Sequence, residues 1–323
     1  MQQTTAVLPA LVTALALLVT GCVTETPVEP VSVDTEKRAE VSGEIELGRA
    51  LQDLDRRIDK YVFWRSQPGE DAARERYVER SAAVSIVRLH QDALIRTAAD
   101  RSEPARRRIA AKALGFATDP SAVRTLVDLL GERGDPRLLT NAAFALAELR
   151  SPSVPGRPLI DLLGLPDADV RNNALLALFH SMEARRSTGG EPLPPIERAE
   201  AVPLIEAALF DPDDHFVRGH AAACLGALGD PRSVDALINV LPDPNPFVRT
   251  RAALALGKIG DVKAVPALVA VIDETPRGTP RSAVTTALRV ILERAGRQAP
   301  PGLEASERAW NAFLRQRLGP DVR

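Results

Sequence analysis

The chain of 323 residues has two cysteines, two tryptophans, two methionines and only 4% aromatic residues, and each scarcity excludes something. With Cys22 and Cys224 alone there is no disulfide framework and no paired-cysteine metal motif. The four histidines, His90, His180, His215 and His220, have no paired cysteines to complete a structural zinc site. His215 and His220 are five residues apart and poorly placed for one helical face; with Asp211, Asp213 and Asp214 nearby they offer only a weak metal cluster, and no metal is assigned to it. Neither a Gly-rich phosphate loop nor a Gly-x-Ser-x-Gly elbow occurs. A formal charge of −2 gives no global attraction to nucleic acid. The local basic cluster Arg96, Arg101, Arg106, Arg107 and Arg108 is interleaved with Asp100 and Glu103, and it reads as a solvated helix end. No catalytic residue, metal ligand or cofactor is assigned, and the chain is expected not to be an enzyme.

What the sequence does have is a beat. The phrase Ala113-Leu114-Gly115 returns as Ala145-Leu146-Ala147, Ala177-Leu178-Phe179, Cys224-Leu225-Gly226, Ala255-Leu256-Gly257 and Ala287-Leu288-Arg289, at steps of 31 or 32 residues and one of 47. Such a period marks a repeat architecture. The stretches beginning at Val217 and Val248 are identical at twelve of 25 aligned positions. In the first, Val217, Ala221, Leu225 and Leu228 form one helical stripe, and Val234, Leu237, Ile238 and Leu241 form another after Gly229-Asp230-Pro231. Each unit is therefore two helices, with a glycine free to take a positive φ closing the first and Asp-Pro opening the second. Four residues before the recurrent Arg107, Arg171, Arg218 and Arg249 stand Glu103, Asp167, Asp214 and Asn245, in the places of helix caps. The arginines, with Arg281, are expected to pack along the stack against neighbouring acids. Cys224 aligns with alanines and reads as a small core residue.

One helical hairpin cannot enclose its own apolar stripe, so neighbours must stack. The expected fold is all-α, an α-solenoid of about six to seven antiparallel helix pairs. Its Val-Arg, Ala-Ala, Ala-Leu-Gly, Gly-Asp and Ala-Val-x-x-Leu signature resembles the short bacterial HEAT-like repeat found also in phycobiliprotein lyases. The resemblance covers roughly Tyr77 to Leu318. It implies a solenoid with a binding face and selects no single function. HEAT-like deoxyhypusine hydroxylases hold iron with His-Glu pairs, and this sequence has no such pair.

The start of the chain supplies an address. Ala6 to Val19 is largely apolar and is followed by Thr20-Gly21-Cys22, which resembles a bacterial lipoprotein signal even though the leader carries no Lys or Arg. By that resemblance residues 1–21 are cleaved and Cys22 becomes the lipid-bearing terminus, palmitate included. Val23, where an Asp would favour inner-membrane retention, then implies the periplasmic face of the outer membrane. Residues 22–44, rich in Pro, Thr, Val and Glu, are expected to be a flexible tether that extends to about 70 Å. Leu47, Leu51, Leu54 and Ile58 have helical spacing and define an N-terminal capping helix within 45–76. Tyr77 to Ala99 is expected to be an imperfect first hairpin of a repeat array over 77–318, before a tail at 319–323. Tyr61, Phe63, Trp64, Trp310 and Phe313 are expected to cover the ends of the array.

The 47-residue step places an insertion at 183–198, where Gly189-Gly190 and Pro192, Pro194 and Pro195 stop a helix. Insertions in one repeat often decorate a binding edge, and Leu193 and Ile196 are the apolar candidates there. The second helices present Arg124, Asp128, Asp161, Glu206, Asp235 and Asn239, a mixture that suits a protein or peptide partner in the cell envelope better than a polyanion. The expected role is a lipid-anchored scaffold or adaptor. The alternatives are a lyase-like or other enzyme on the same fold, and a structural envelope component.

Overall fold

The computed structural model describes residues 35–271 and 279–296. The chain divides into two compact units, Met1–Ile45 and Glu46–Arg323. Of the first, only the opening of helix α1 (Thr35–Ser66) is described, so Cys22 and the residues read as its leader lie outside the described residues, as do Trp310, Phe313 and residues 319–323. Among the described residues no helix is long and apolar enough to cross a membrane.

The second unit is an α-solenoid. After α1 comes α2 (Glu70–Ala99), and then first and second helices alternate. The pairs are α3 (Pro104–Ala113) with α4 (Ser121–Leu129), α5 (Pro136–Leu149) with α6 (Gly156–Ile160), and α7 (Ala168–Ser187) with α8 (Pro195–Ala208). They continue with α9 (His215–Leu228) and α10 (Val234–Asn239) and with α11 (Pro246–Ile259) and α12 (Val265–Ala270), and α13 (Thr279–Arg294) is the last described helix. The recurring phrase sits on, or one turn beyond, each first helix from α3 to α13.

Small residues at that phrase are what let the layers meet. A Cβ added at Gly115 would lie 2.7 Å from Ala145 Cα, one at Gly226 2.7 Å from Ala255 Cα, and one at Gly257 2.8 Å from Ala287 Cα. First helices thus touch backbone to backbone, and their alanines and leucines form one continuous buried core running from α1 to α13. Cys224 belongs to it: fully buried, with its thiol donating to Leu175 O at 3.2 Å.

Local chemistry closes each layer as the spacing implies. The side chains of Asp167, Asp214 and Asn245 accept from backbone N–H groups in the first turn, and Asp135 does the same for α5. Glu103, one methylene longer, makes no capping bond. Gly229 and Gly260 end α9 and α11 at φ 66° and 82°. The arginines form an interrupted ladder: those of α3, α7 and α9 tie the helix to the loop leaving its own second helix, and that of α11 to the loop before it. Arg107 pairs with Glu132, Arg171 with Asp211, and Arg218 with Asp243 at 2.8 Å, while Arg249 donates to the carbonyls of Asp243 and Pro244. Arg101 and Arg107 share Glu132 and Arg108 pairs with Asp135, so these members of the basic cluster are neutralised locally. The side chain of Arg281 lies outside the described residues.

Four expectations are corrected. Helix α1 starts at Thr35, inside the stretch read as tether, and Tyr77 to Ala99 is no hairpin but the greater part of α2, because no glycine or proline interrupts it. Phe63 is exposed and packs edge-on to the half-buried Trp64, so of the described members of that group only Tyr61 joins the core. The insertion is mostly ordered helix: α7 runs on to Ser187, and Arg185 fastens it by donating to Pro152 O, Val154 O and Pro192 O.

Candidate protein-interaction face

The second-helix residues do not gather into one patch. Arg124, Asp128 and Asn239 are exposed singly, whereas Asp161 pairs with Arg157 at 2.9 Å and Asp235 with Lys263 at 2.7 Å. Glu206 is half-buried and accepts from Ser233 Oγ at 2.8 Å. At the insertion Ile196 is 77% exposed, but Leu193 is completely buried, seated where a side chain on Gly156 would collide with it. Leu193 is therefore a core residue and is withdrawn as a contact candidate. Since α6, α10 and α12 run for only five or six residues each, these second helices offer short steps, with the charges of Asp161 and Asp235 already compensated.

The first helices build a different face. Two positions one turn apart recur on it, the residue before the repeated Ala/Cys and the one three after it. They are Lys112 and Phe116, Phe144 and Glu148, Leu176 and His180, Ala223 and Ala227, and Leu254 and Lys258. Helix α1 covers the first two layers. Tyr61 meets the Phe116 ring edge-on at 5.4 Å and donates from its hydroxyl to Glu148 at 2.8 Å. Arg65 pairs with Glu148 and stacks on Phe144, and Asp55 and Asp59, one helical turn apart on α1, both pair with Lys112. Arg80 of α2 adds a third donor to Glu148 at 3.3 Å. Burial of a carboxylate is tolerated only with such partners. The same burial, with Glu148 beside it, raises the Tyr61 hydroxyl above its ordinary pKa.

From α7 onward the face is free of α1 in its described contacts. His180 donates through Nδ1 to the carbonyl of Ala147, 2.7 Å away at the end of α5, which leaves Nε2 as an acceptor. Burial lowers its pKa, partly offset by that bond, so the ring is chiefly neutral at pH 7. His220 Nδ1 lies 2.6 Å from Asn172 Oδ1, and burial pushes its pKa down to about 3. The Phe247 ring fills the space over Gly219, edge-on to His220, and carries the Arg251 guanidinium at 5.1 Å. Arg251 is largely desolvated, which depresses its pKa, and it meets no carboxylate among the described residues. Lys258 reaches across Ala223 and Ala227 of α9 to Glu183 at 2.9 Å and lies 5.0 Å from the Phe179 ring centroid. Beside it is a cavity of about 420 Å³ lined by Arg150, Phe179, His180, Glu183, Ala184 and Ser187.

His220 is too weak a base at neutral pH, and burial raises the Cys224 thiol far above the range of a nucleophile. Asp211 is committed to Arg171 and to the backbone of Asp213 and Asp214, away from His220; among the described residues no three His, Cys, Asp or Glu gather to hold a metal ion. The residues of this face were missed from sequence. Their signal lay in the register: Glu148, His180 and Lys258 share one repeat position and are polar, although that position touches the core.

A family model for HEAT repeats matches residues 91–179, 157–244 and 202–289, together more than half of the chain. No curated protein matches it. Among solved structures, an engineered protein superposes with a TM-score of 0.50 at 19% identity, over 72% of this chain and 67% of its own. A designed armadillo repeat protein gives 0.48 at 17% identity over 61% and 98%. The complex of CpcE and CpcF of phycocyanin lyase from Nostoc sp. PCC7120 gives 0.40 at 24% identity over 77% and 89%. At such identities the likeness is one of fold.

Proposed function

Because the chain belongs to the HEAT-repeat family, we propose that it is a non-catalytic scaffold, held by lipid on Cys22 at the periplasmic face of the outer membrane, that binds a protein partner. One observation carries the binding role. Part-exposed aromatic and charged side chains of α7 and α11, Phe179, His180, Glu183, Arg251 and Lys258, with Leu254 among them, form a strip on either side of α9. Rings and cations interspersed with acids suit a protein surface, and a rigid platform lowers the ordering cost of association. The absence of enzymatic action rests on the unreactive state of His220 and Cys224 together with the missing catalytic motifs. The anchor rests on the sequence of the leader and on the Thr-Gly-Cys ending at Cys22.

Photo-crosslinking amino acids placed along both helix faces of the full chain in its host test this reading, followed by mass spectrometry of the adducts and of the N-terminal peptide. The expected result is a recurrent protein adduct and a lipid-modified peptide beginning at Cys22, lost in Cys22→Ala. Adducts from neither face would remove the scaffold role, and an unmodified Met1 peptide would remove the anchor.

A further inference from the structure

Helix α1 is itself an occupant of the first-helix face, and its mode of seating states what the remainder of that face recognises. It places a ring on a ring, Tyr61 on Phe116, and two acids one turn apart, Asp55 and Asp59, on a cation, Lys112. Beyond Glu148, where its contacts end, the same register continues over α7, α9 and α11 with Leu176, Ala223 and Leu254 as floor. Among the described residues no covering helix contributes an acid there. Arg251 sits on Phe247, largely stripped of water, with no carboxylate against it among the described residues, and Arg150 is exposed at the mouth of the cavity beside Phe179. A desolvated guanidinium on an aromatic ring is a half-made contact, since a carboxylate would complete it with charge-assisted hydrogen bonds.

We propose that the face from His180 to Lys258 binds an acidic amphipathic helix of a partner protein, laid on the first helices in continuation of α1. Its apolar side chains rest on Leu254 and Phe179, and a pair of carboxylates one turn apart meets Arg251. The proposal deepens the scaffold reading and rests on it. Two features argue for this occupant: the charge left over on the face, and continuity with the interface that α1 already makes. The helical form follows from the seat itself, since α1 uses the equivalent positions of α3 and α5.

The probes are three synthetic helical peptides labelled with a fluorophore: one with leucines along a single stripe and glutamates one turn apart beside it, the same peptide with lysines for glutamates, and a scramble of the first. Binding to the full chain lacking only its leader is read by fluorescence anisotropy, and a photoreactive group on the first peptide maps the contact. Expected are saturable binding of the glutamate peptide, at least tenfold weaker binding of the other two, and adducts on α7 or α11. Arg251→Glu is expected to lower affinity at least tenfold and Arg251→Gln by a smaller factor, each with a helical circular dichroism spectrum and melting transition like the parent. Should Arg251→Glu unfold the chain, Arg251→Gln and the salt dependence of binding decide alone. Equal binding of the three peptides, indifference to both substitutions, or adducts on the second helices overturns the proposal. Partner adducts in cells from the second helices alone would overturn it too while leaving the scaffold reading intact.

Discussion

Replacing Gly226 by alanine adds one methyl group at the tightest point between α9 and α11, and the structure fixes the sign of the outcome. The new Cβ would lie 2.7 Å from Ala255 Cα and 2.8 Å from Ala255 Cβ, where carbon atoms in contact rest about 3.5–4.0 Å apart. The two helices must part by about 1 Å, and every apolar contact flanking the phrase loosens with them. Overpacking of this kind costs about 1–3 kcal/mol. Alanine returns about 1 kcal/mol of helix propensity over glycine, so the net effect is a loss of up to about 2 kcal/mol. Gly48, inside α1 with nothing within 4 Å of an added Cβ, receives the same substitution without the collision, and Gly48→Ala should gain up to about 1 kcal/mol. Denaturant unfolding followed by circular dichroism compares the pair. Hydrogen exchange locates the damage, which should fall on α9 and α11, because coupling in a stack runs through neighbouring layers. If Gly226→Ala raises stability as Gly48→Ala does, the backbone-to-backbone account of layer contact is wrong.

Two further perturbations probe the polar framework. Arg218→Ala leaves Asp243, with a side chain only 6% exposed, without its guanidinium, and should cost about 2–4 kcal/mol in the same unfolding assay, with Arg218→Lys intermediate; equal stability of all three would show the ladder to be ornamental. His220 is a base whose folded pKa, about 3, lies below its ordinary value of 6.5, so the unfolded chain takes up the proton first. Its contribution is complete above pH 6.5 and declines as the pH falls toward 3, by on the order of 2–3 kcal/mol at pH 4.5. Melts at pH 7.5 and about 4.5 should therefore differ less for His220→Gln than for the parent, and identical pH dependence would contradict the burial of a neutral ring.

Local rules made the repeating part of this molecule readable. Asp167, Asp214 and Asn245 cap because short acceptors reach the first-turn N–H groups, Gly229 and Gly260 close helices because φ must turn positive, and Cys224 packs where alanines pack elsewhere. The ends and the insertion were harder, because their structure comes from partners far along the chain. Nothing near Leu193 foretells Gly156 making room for it, and nothing near Arg185 foretells the carbonyls of Pro152 and Val154. The interaction face was illegible for a similar reason. Periodicity says which side of a helix is apolar, but Tyr61 and Glu148, hydrogen-bonded across 87 residues of sequence, show which flank of the stack is already covered.

The bridge from Lys258 to Glu183 passes over α9 without stopping there, because Ala223 and Ala227 are too short to obstruct it. A stack joined only between adjacent layers unzips one rung at a time from its ends. Here the seventh and eleventh helices also share a part-exposed ion pair across the ninth, worth about 0–1 kcal/mol, which favours α7, α9 and α11 opening together. A grip spread over all three then keeps its geometry while the outer rungs fray.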